Sequence, residues 1–246
     1  MKTICLITFR PKHFYCDFLE KFKNYKIVII VDDNADSNRL KLNDFQSKYK
    51  NITFVRVNNK DCDLAGYSNV NNIGIKKRIS GWDKALYYFG KIKLDSDFIW
   101  FLEDDVFFYD ENTLLDIDNQ YINDDLLSNK IHDSVKNWNH WSSIKFNYEK
   151  PYYRGMMCAV RVSNNLMKSI NNYATENKKL EFLEALFPTI AKKNDLIVTN
   201  PVEFHLVKYR YNCKELSQEL FKNILYHPVK FSEDHFRIRE YLKNKK

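Results

Sequence analysis

The chain has 246 residues, is 44% hydrophobic and 15% aromatic, and so has enough apolar side chain for a packed core and too much for a disordered polymer. Its net charge of +7 admits nucleic acid, an anionic surface or a phosphorylated small molecule as partner. The cations are spread along the chain, with only Lys243, Lys245 and Lys246 clustered, so nucleic acid is not the expected partner. Five cysteines (Cys5, Cys16, Cys62, Cys158, Cys213), an odd number without a C-x-x-C pair, argue against a zinc knuckle or a disulfide framework. Reduced thiols and a cytoplasmic location are the expectation. The first apolar run is too short for a signal peptide, and no run approaches a membrane span.

Residues 3–9 read as a buried strand, and Phe14, Phe18, Leu19 and Phe22 follow at helical spacing. A second buried strand, residues 26–31, ends in Asp32-Asp33-Asn34. Leu42, Phe45 and Tyr49 mark a helix that Asp36 or Ser37 is placed to cap, and residues 52–57 make a third strand. This βαβαβ order predicts a parallel sheet with right-handed crossovers. Arg10-Pro11-Lys12 stands where a glycine-rich phosphate loop would be, which removes the dinucleotide fingerprint and the P-loop. Residues 58–77 are polar and turn-rich and read as a long loop. Ser80 then precedes a short amphipathic helix (Trp82, Ala85, Leu86, Phe89) closed by Gly90.

Residues 98–108 are an apolar run interrupted by Glu103-Asp104-Asp105. Three adjacent acids at the end of a buried strand repel one another and lose hydration unless a cation sits among them. Hard oxygen ligands favour Mg²⁺ or Mn²⁺. Beyond them, residues 114–127 read as a helix, 136–143 as an aromatic and polar stretch without periodicity, and 156–162 as another buried strand. Ser163 is placed to cap a helix with the stripe Leu166, Met167, Ile170, Tyr173 and Ala174. Residues 180–192 form a further helix that Pro188 must start or kink, because it cannot donate to the Glu184 carbonyl. Residues 196–198 make a short strand, and a charged, aromatic tail follows. One domain is expected over 1–246, with 1–110 as the nucleotide-binding half and 111–246 as the acceptor half and tail.

This order of parts resembles a GT-A glycosyltransferase, an α/β fold with a mostly parallel, Rossmann-like central sheet flanked by helices. Glu103-Asp104-Asp105 resembles the DXD motif of that fold. The resemblance implies that Asp105 binds a divalent metal, which bridges the phosphates of a sugar nucleotide, while Asp104 or Glu103 touches the ribose, the sugar or a metal-bound water. The segment from Glu184 through Pro188 and Thr189 to Ile190 is similar to the one carrying the base in core-2-type N-acetylglucosaminyltransferases and their inverting relatives. Core-2-type enzymes themselves work without a metal, so the segments draw on more than one branch. Tyr226-His227-Pro228-Val229-Lys230 resembles the late histidine of metal-dependent members.

Ligands of open α/β sheets bind at the carboxyl ends of strands. Asp32 or Asp33 is therefore the candidate for the uracil or ribose, with Thr8 and Arg10 lining the same pocket. Arg78 and Ser80, at a helix N-terminus with Lys76 and Lys77 nearby, suit phosphate oxygens. Inverting transfer needs a carboxylate base: Glu184 is one candidate and Glu181, one turn earlier, is the other. His227 as neutral imidazole can complete the metal shell, and Lys230 can offset diphosphate charge. The expected function is transfer of a sugar from a UDP-sugar to a hydroxyl of a glycan, glycoprotein or other acceptor, with Mn²⁺ or Mg²⁺. A nucleotidyltransferase acting on a sugar phosphate is the rival enzyme, and a nucleic-acid-binding protein, supported only by charge, the rival of another kind.

Overall fold

The computed structural model describes residues 2–34, 41–70, 79–91, 96–133, 138, 140–209 and 219–245. The suggested caps Asp36 and Ser37, the cations Lys76, Lys77 and Arg78, and Cys213 lie outside the described residues. In chain order the elements are β1 (Lys2–Thr8), α1 (His13–Leu19), β2 (Tyr25–Val31), α2 (Leu42–Lys48), β3 (Ile52–Val55), α3 (Asn59–Leu64), α4 (Gly81–Lys91), β4 (Phe98–Glu103) and α5 (Glu111–Gln120). Then come β5 (Leu126–Leu127), β6 (His132–Asp133), β7 (Tyr153–Arg154), β8 (Ala159–Ser163), α6 (Asn164–Asn177), α7 (Leu183–Lys193), β9 (Val198–Thr199), β10 (Leu206–Val207), β11 (Tyr226–His227) and α8 (Ser232–Asn244).

A seven-stranded sheet runs in the order β3-β2-β1-β4-β8-β5-β9. The first four strands in that order are mutually parallel, as the βαβαβ pattern predicts, and β8 alone runs against its neighbours. The central strands are apolar on both faces because helices cover both. One face packs Ile7, Val28, Ile30, Ile99 and Phe101 against α4, α6 and α7. The other packs Ile4, Leu6, Ile27, Trp100 and Leu102 against α1, α2 and α5. Burying each such Leu, Ile or Phe contributes roughly 1.5–3 kcal/mol. Asp118 on α5 gathers polar groups inside the sheet: it accepts from Tyr25 Oη (2.6 Å) and Trp100 Nε1 (3.1 Å) and lies 3.3 Å from the buried Arg161 guanidinium.

Register determines what meets at the sheet's carboxyl edge. Ile7 pairs with Glu103 and Thr8 with Val31, so β1, β2 and β4 end side by side. Because β8 is antiparallel to β4, with Leu102 opposite Ala159, the residues just before β8 arrive at that same edge.

Several local expectations change. Residues 59–64 are a helix, not loop, because the Asn58 side chain accepts from Lys60 N and caps them. Helix α2 begins at Leu42 after Lys41, which offers no side-chain cap. Gly90 lies within α4 and does not end it; a Cβ there would collide with the Tyr67 hydroxyl. The predicted 114–127 helix stops at Gln120, and Leu126-Leu127 form β5. Ser163 does cap α6, its Oγ accepting from Leu166 N at 3.1 Å.

Pro188 neither starts α7 nor ends it; the helix begins at Leu183 and runs through it. The carbonyl that Pro188 cannot serve, that of Glu184, accepts instead from Gly155 N at 2.9 Å. Among the described residues no helix is long and apolar enough to cross a membrane.

Candidate functional site

A cleft opens at the carboxyl ends of β1, β2 and β4, lined by Ile7, Thr8, Phe9, Asp32, Ser80, Gly81, Trp82, Glu103, Asp104 and Asp105. The N-terminus of α4 reaches its floor because position 81 is glycine: a Cβ there would meet Ile7 Cγ2 at 2.7 Å and Asp32 Cβ at 3.4 Å. Asp83 accepts from Ser80 N (2.8 Å), Ser80 Oγ (2.7 Å) and Val70 N (3.0 Å), which holds that helix start in place. Burial pushes the Asp83 carboxyl up to about 6 in spite of those bonds.

The acids are held individually. Thr8 Oγ1 donates to Asp104 Oδ2 at 2.6 Å, and Trp82 Nε1 donates to Glu103 Oε1 at 2.7 Å. Burial, with Asp105 adding to it, raises both Glu103 and Asp104 above the usual carboxylate range. Asp105 Oδ1 is buried and makes no hydrogen bond of good geometry.

His227 joins them from the far end of the chain. The backbone of residues 226–229 pairs with that of 105–107: Tyr226 N donates to Phe107 O (2.9 Å), Phe107 N to Tyr226 O (2.8 Å) and Val229 N to Asp105 O (2.7 Å). His227 Nδ1 donates to the Lys208 carbonyl at 2.8 Å, and a carbonyl can only accept, so the tautomer is fixed. Nε2 then faces Asp105 Oδ1 at 3.2 Å and Glu103 Oε2 at 3.8 Å. Burial alone would lower this imidazole's affinity for a proton; Asp105 and Glu103 outweigh that and raise it. A cation placed among these acids offsets their mutual repulsion. The buried Asp105 oxygen faces the fixed Nε2, and Glu103, Cys158 and His227 each offer an atom within 4.8 Å of the other two, a spacing that fits such an ion.

Glu184, in the first turn of α7, is half-buried, and its carboxyl is pushed up to about 7. Burial is the main cause; Arg154 opposes it, and the nearby charge of Glu103 adds to it.

The remaining candidates separate from this group. Asp33 is fully buried and both its oxygens are taken by Arg56, at 2.7 and 2.8 Å, so of the Asp32-Asp33 pair only Asp32 lines the cleft. Asp32 itself is paired with the buried Lys84 ammonium, which also reaches Asn34 Oδ1 at 3.0 Å. Glu181 is buried, pairs with Lys179 (2.7 Å) and accepts from Lys145 N (3.1 Å), which is a structural arrangement. Arg10 does not line the cleft; its guanidinium lies 5.5 Å from the Phe9 ring centre. Lys230 is exposed.

Sequence reasoning passed over three groups here. Trp82 reads as core, and its ring is core, but its indole N–H orients Glu103. Lys84 is the buried partner of Asp32, detectable only as a lone lysine on the apolar face of α4. Cys158, just ahead of β8, brings its thiol to Glu103 and His227.

No protein-family model matches this chain, and no curated protein sequence does. Solved structures do match over the full length. The galactosyltransferase LgtC in complex with donor and acceptor sugar analogs is 13% identical, with a TM-score of 0.50 over 100% of this chain and 98% of that one. The fold is GT-A, of the Rossmann-like kind. An active-site mutant of LgtC (13% identity, TM-score 0.49, 100% and 98% covered) also matches. So does 4-diphosphocytidyl-2C-methyl-D-erythritol synthase from Anaerococcus prevotii (12%, 0.48, 99% and 96%). In this fold the cleft and the acids occupy the carboxyl edge of the parallel strands, where ligands of such sheets bind.

Proposed function

We propose that this chain is a metal-dependent, inverting glycosyltransferase that moves a sugar from a UDP-sugar to an acceptor hydroxyl. The observation that carries the reading is the meeting of Glu103 and Asp105 with His227, brought from the other end of the chain to 3.2 Å from the buried Asp105 oxygen. Asp105 and His227, with Glu103, are the residues that would hold Mn²⁺ or Mg²⁺. Bound there, the ion supplies electrostatic stabilisation of the departing diphosphate. Asp32, with Thr8 and Ser80, lines the place for the nucleoside and phosphates. Glu184 accepts the proton of the acceptor hydroxyl as that oxygen bonds to the anomeric carbon. The bond from that carbon to the diphosphate breaks, and its electron pair leaves with UDP. A carboxyl whose pKa stands near 7 suits that task, since a base works best when its pKa is near the operating pH. The acceptor is a glycan, glycoprotein or other hydroxyl compound, and the whole chain serves as one domain.

The test is calorimetric binding of UDP with and without Mn²⁺, followed by a screen of UDP-sugars for slow hydrolysis. Mn²⁺-dependent UDP binding and release of free sugar are expected. Pyrophosphate release from a nucleoside triphosphate in place of sugar release would make the chain a nucleotidyltransferase.

A further inference from the structure

Cys158 has no part in the mechanism above, yet it stands inside the acidic group. The antiparallel pairing of β8 with β4 puts it there: Glu103 N donates to the Cys158 carbonyl at 2.9 Å. A carboxylate oxygen of Glu103, Sγ of Cys158 and a ring nitrogen of His227 all lie within 4.8 Å of one another. That nitrogen is Nε2, since Nδ1 is committed to Lys208. Ligands about 2.0 to 2.3 Å from a tetrahedral ion stand roughly 3.3 to 3.8 Å apart, so small side-chain rotations would close this group on one ion. Asp105 Oδ1 lies 3.2 Å from Nε2, slightly inside that spacing, and stands outside the group of three. Met156 Sδ, 3.5 Å from Cys158 Sγ, adds a second soft atom behind the thiol.

Oxygen ligands alone suit Mg²⁺, whereas sulfur and imidazole beside carboxylate suit a more thiophilic ion. We propose that Cys158 is a ligand of the divalent ion at this site, with Glu103 and His227, and that the site therefore prefers Zn²⁺ or Co²⁺ to Mg²⁺. On binding, the thiol releases its proton to solvent as the sulfur–metal bond forms. The inference rests on the reading of this cluster as a metal site, replaces Mg²⁺ as the preferred ion, and is independent of which group is transferred.

The experiment is a Co²⁺ titration of the full chain, read by absorption, for the unaltered protein and Cys158→Ser, with circular dichroism melts to verify folding. The unaltered protein should show visible cobalt bands together with a near-ultraviolet thiolate-to-cobalt charge-transfer band. Cys158→Ser should keep the visible bands at higher Co²⁺ and lose the charge-transfer band. Its Zn²⁺ affinity, measured against a chromophoric chelator, should drop by more than the roughly tenfold that losing even an outer-shell partner costs. Its Mg²⁺ affinity should not change. Cobalt bands without charge transfer in the unaltered protein, or a charge-transfer band that survives in Cys158→Ser, would overturn the thiol ligand and leave the metal reading standing. No Co²⁺ binding by the folded, unaltered protein would overturn both.

Discussion

Glu184→Gln exposes the proposed chemistry most directly. In the metal-free protein the Glu184 carboxyl has moved from 4.5 to about 7, chiefly by burial, so ionising it in place costs roughly 3 kcal/mol more than in water. A base must be ionised to act, so the transfer rate should rise with pH and level off above the midpoint. Each pH unit below it should cost about tenfold in rate. A divalent cation beside Glu103 removes one of the charges that raise Glu184, so metal loading should move that limb to lower pH. Glu184→Gln should abolish the limb and reduce turnover by ~10²- to 10⁴-fold. UDP affinity should be near normal, because the base acts on the acceptor.

Stability gives an independent reading with its own sign. The folded pKa lies above the unfolded one, so the folded state binds the extra proton between about 4.5 and 7, and stability falls as pH rises through that window. Glu184→Gln should therefore be no less stable than the parent below pH 5 and more stable above pH 7, by denaturant unfolding. Transfer by Glu184→Gln at parental rate with the limb intact would remove Glu184 from the mechanism. A product that retains the donor's anomeric configuration, read by NMR, would refute the single-displacement scheme.

Other substitutions test the surrounding geometry. Asp105→Ala and His227→Ala should each fold normally and lose Mn²⁺-dependent UDP binding, measured by calorimetry. Trp82→Phe keeps most of the buried ring but deletes the N–H that orients Glu103, so metal affinity should fall about 10- to 100-fold, the cost of losing a group that holds a ligand in place. Asp33→Ala should destabilise the fold by about 2 kcal/mol, because Arg56 loses its bidentate partner, while UDP affinity is unchanged; Asp32→Ala should lower both stability and UDP affinity, because it leaves the buried Lys84 ammonium without its carboxylate and removes a residue of the cleft. Glu181→Gln should reduce turnover far less than Glu184→Gln, since Glu181 is occupied by Lys179 and the Lys145 amide.

The central strands were legible because a strand buried on both faces leaves an unbroken apolar run, as in residues 27–31 and 98–102. The small strands were not. Leu126-Leu127 is short enough to pass as the last turn of α5, and only its pairing with β8 and β9 makes it a strand. At the edge of the sheet the acids were visible because charge after an apolar run is conspicuous. What each acid touches was not, since it depends on register between distant strands. Nothing in the order Asp32-Asp33 distinguishes the residue facing the cleft from the one facing Arg56. Glu184 and Glu181 differ in the same way, through Lys179 and Lys145 on one side and Arg154 on the other. Cys158 left no local signal at all, because it is its neighbour across the sheet that gives it chemical meaning.

The pairing of residues 226–229 with 105–107 has a consequence for how the protein is made. The sheet edge with its three acids can form while the last part of the chain is still being synthesised. His227 arrives only when that last part emerges and docks. A newly made chain therefore passes through an interval in which its core is built and its acids repel one another without the imidazole. On the proposed metal reading, competence for the ion would be acquired late, and a protein cut short before His227 would be expected to fold its central strands while failing to hold the ion.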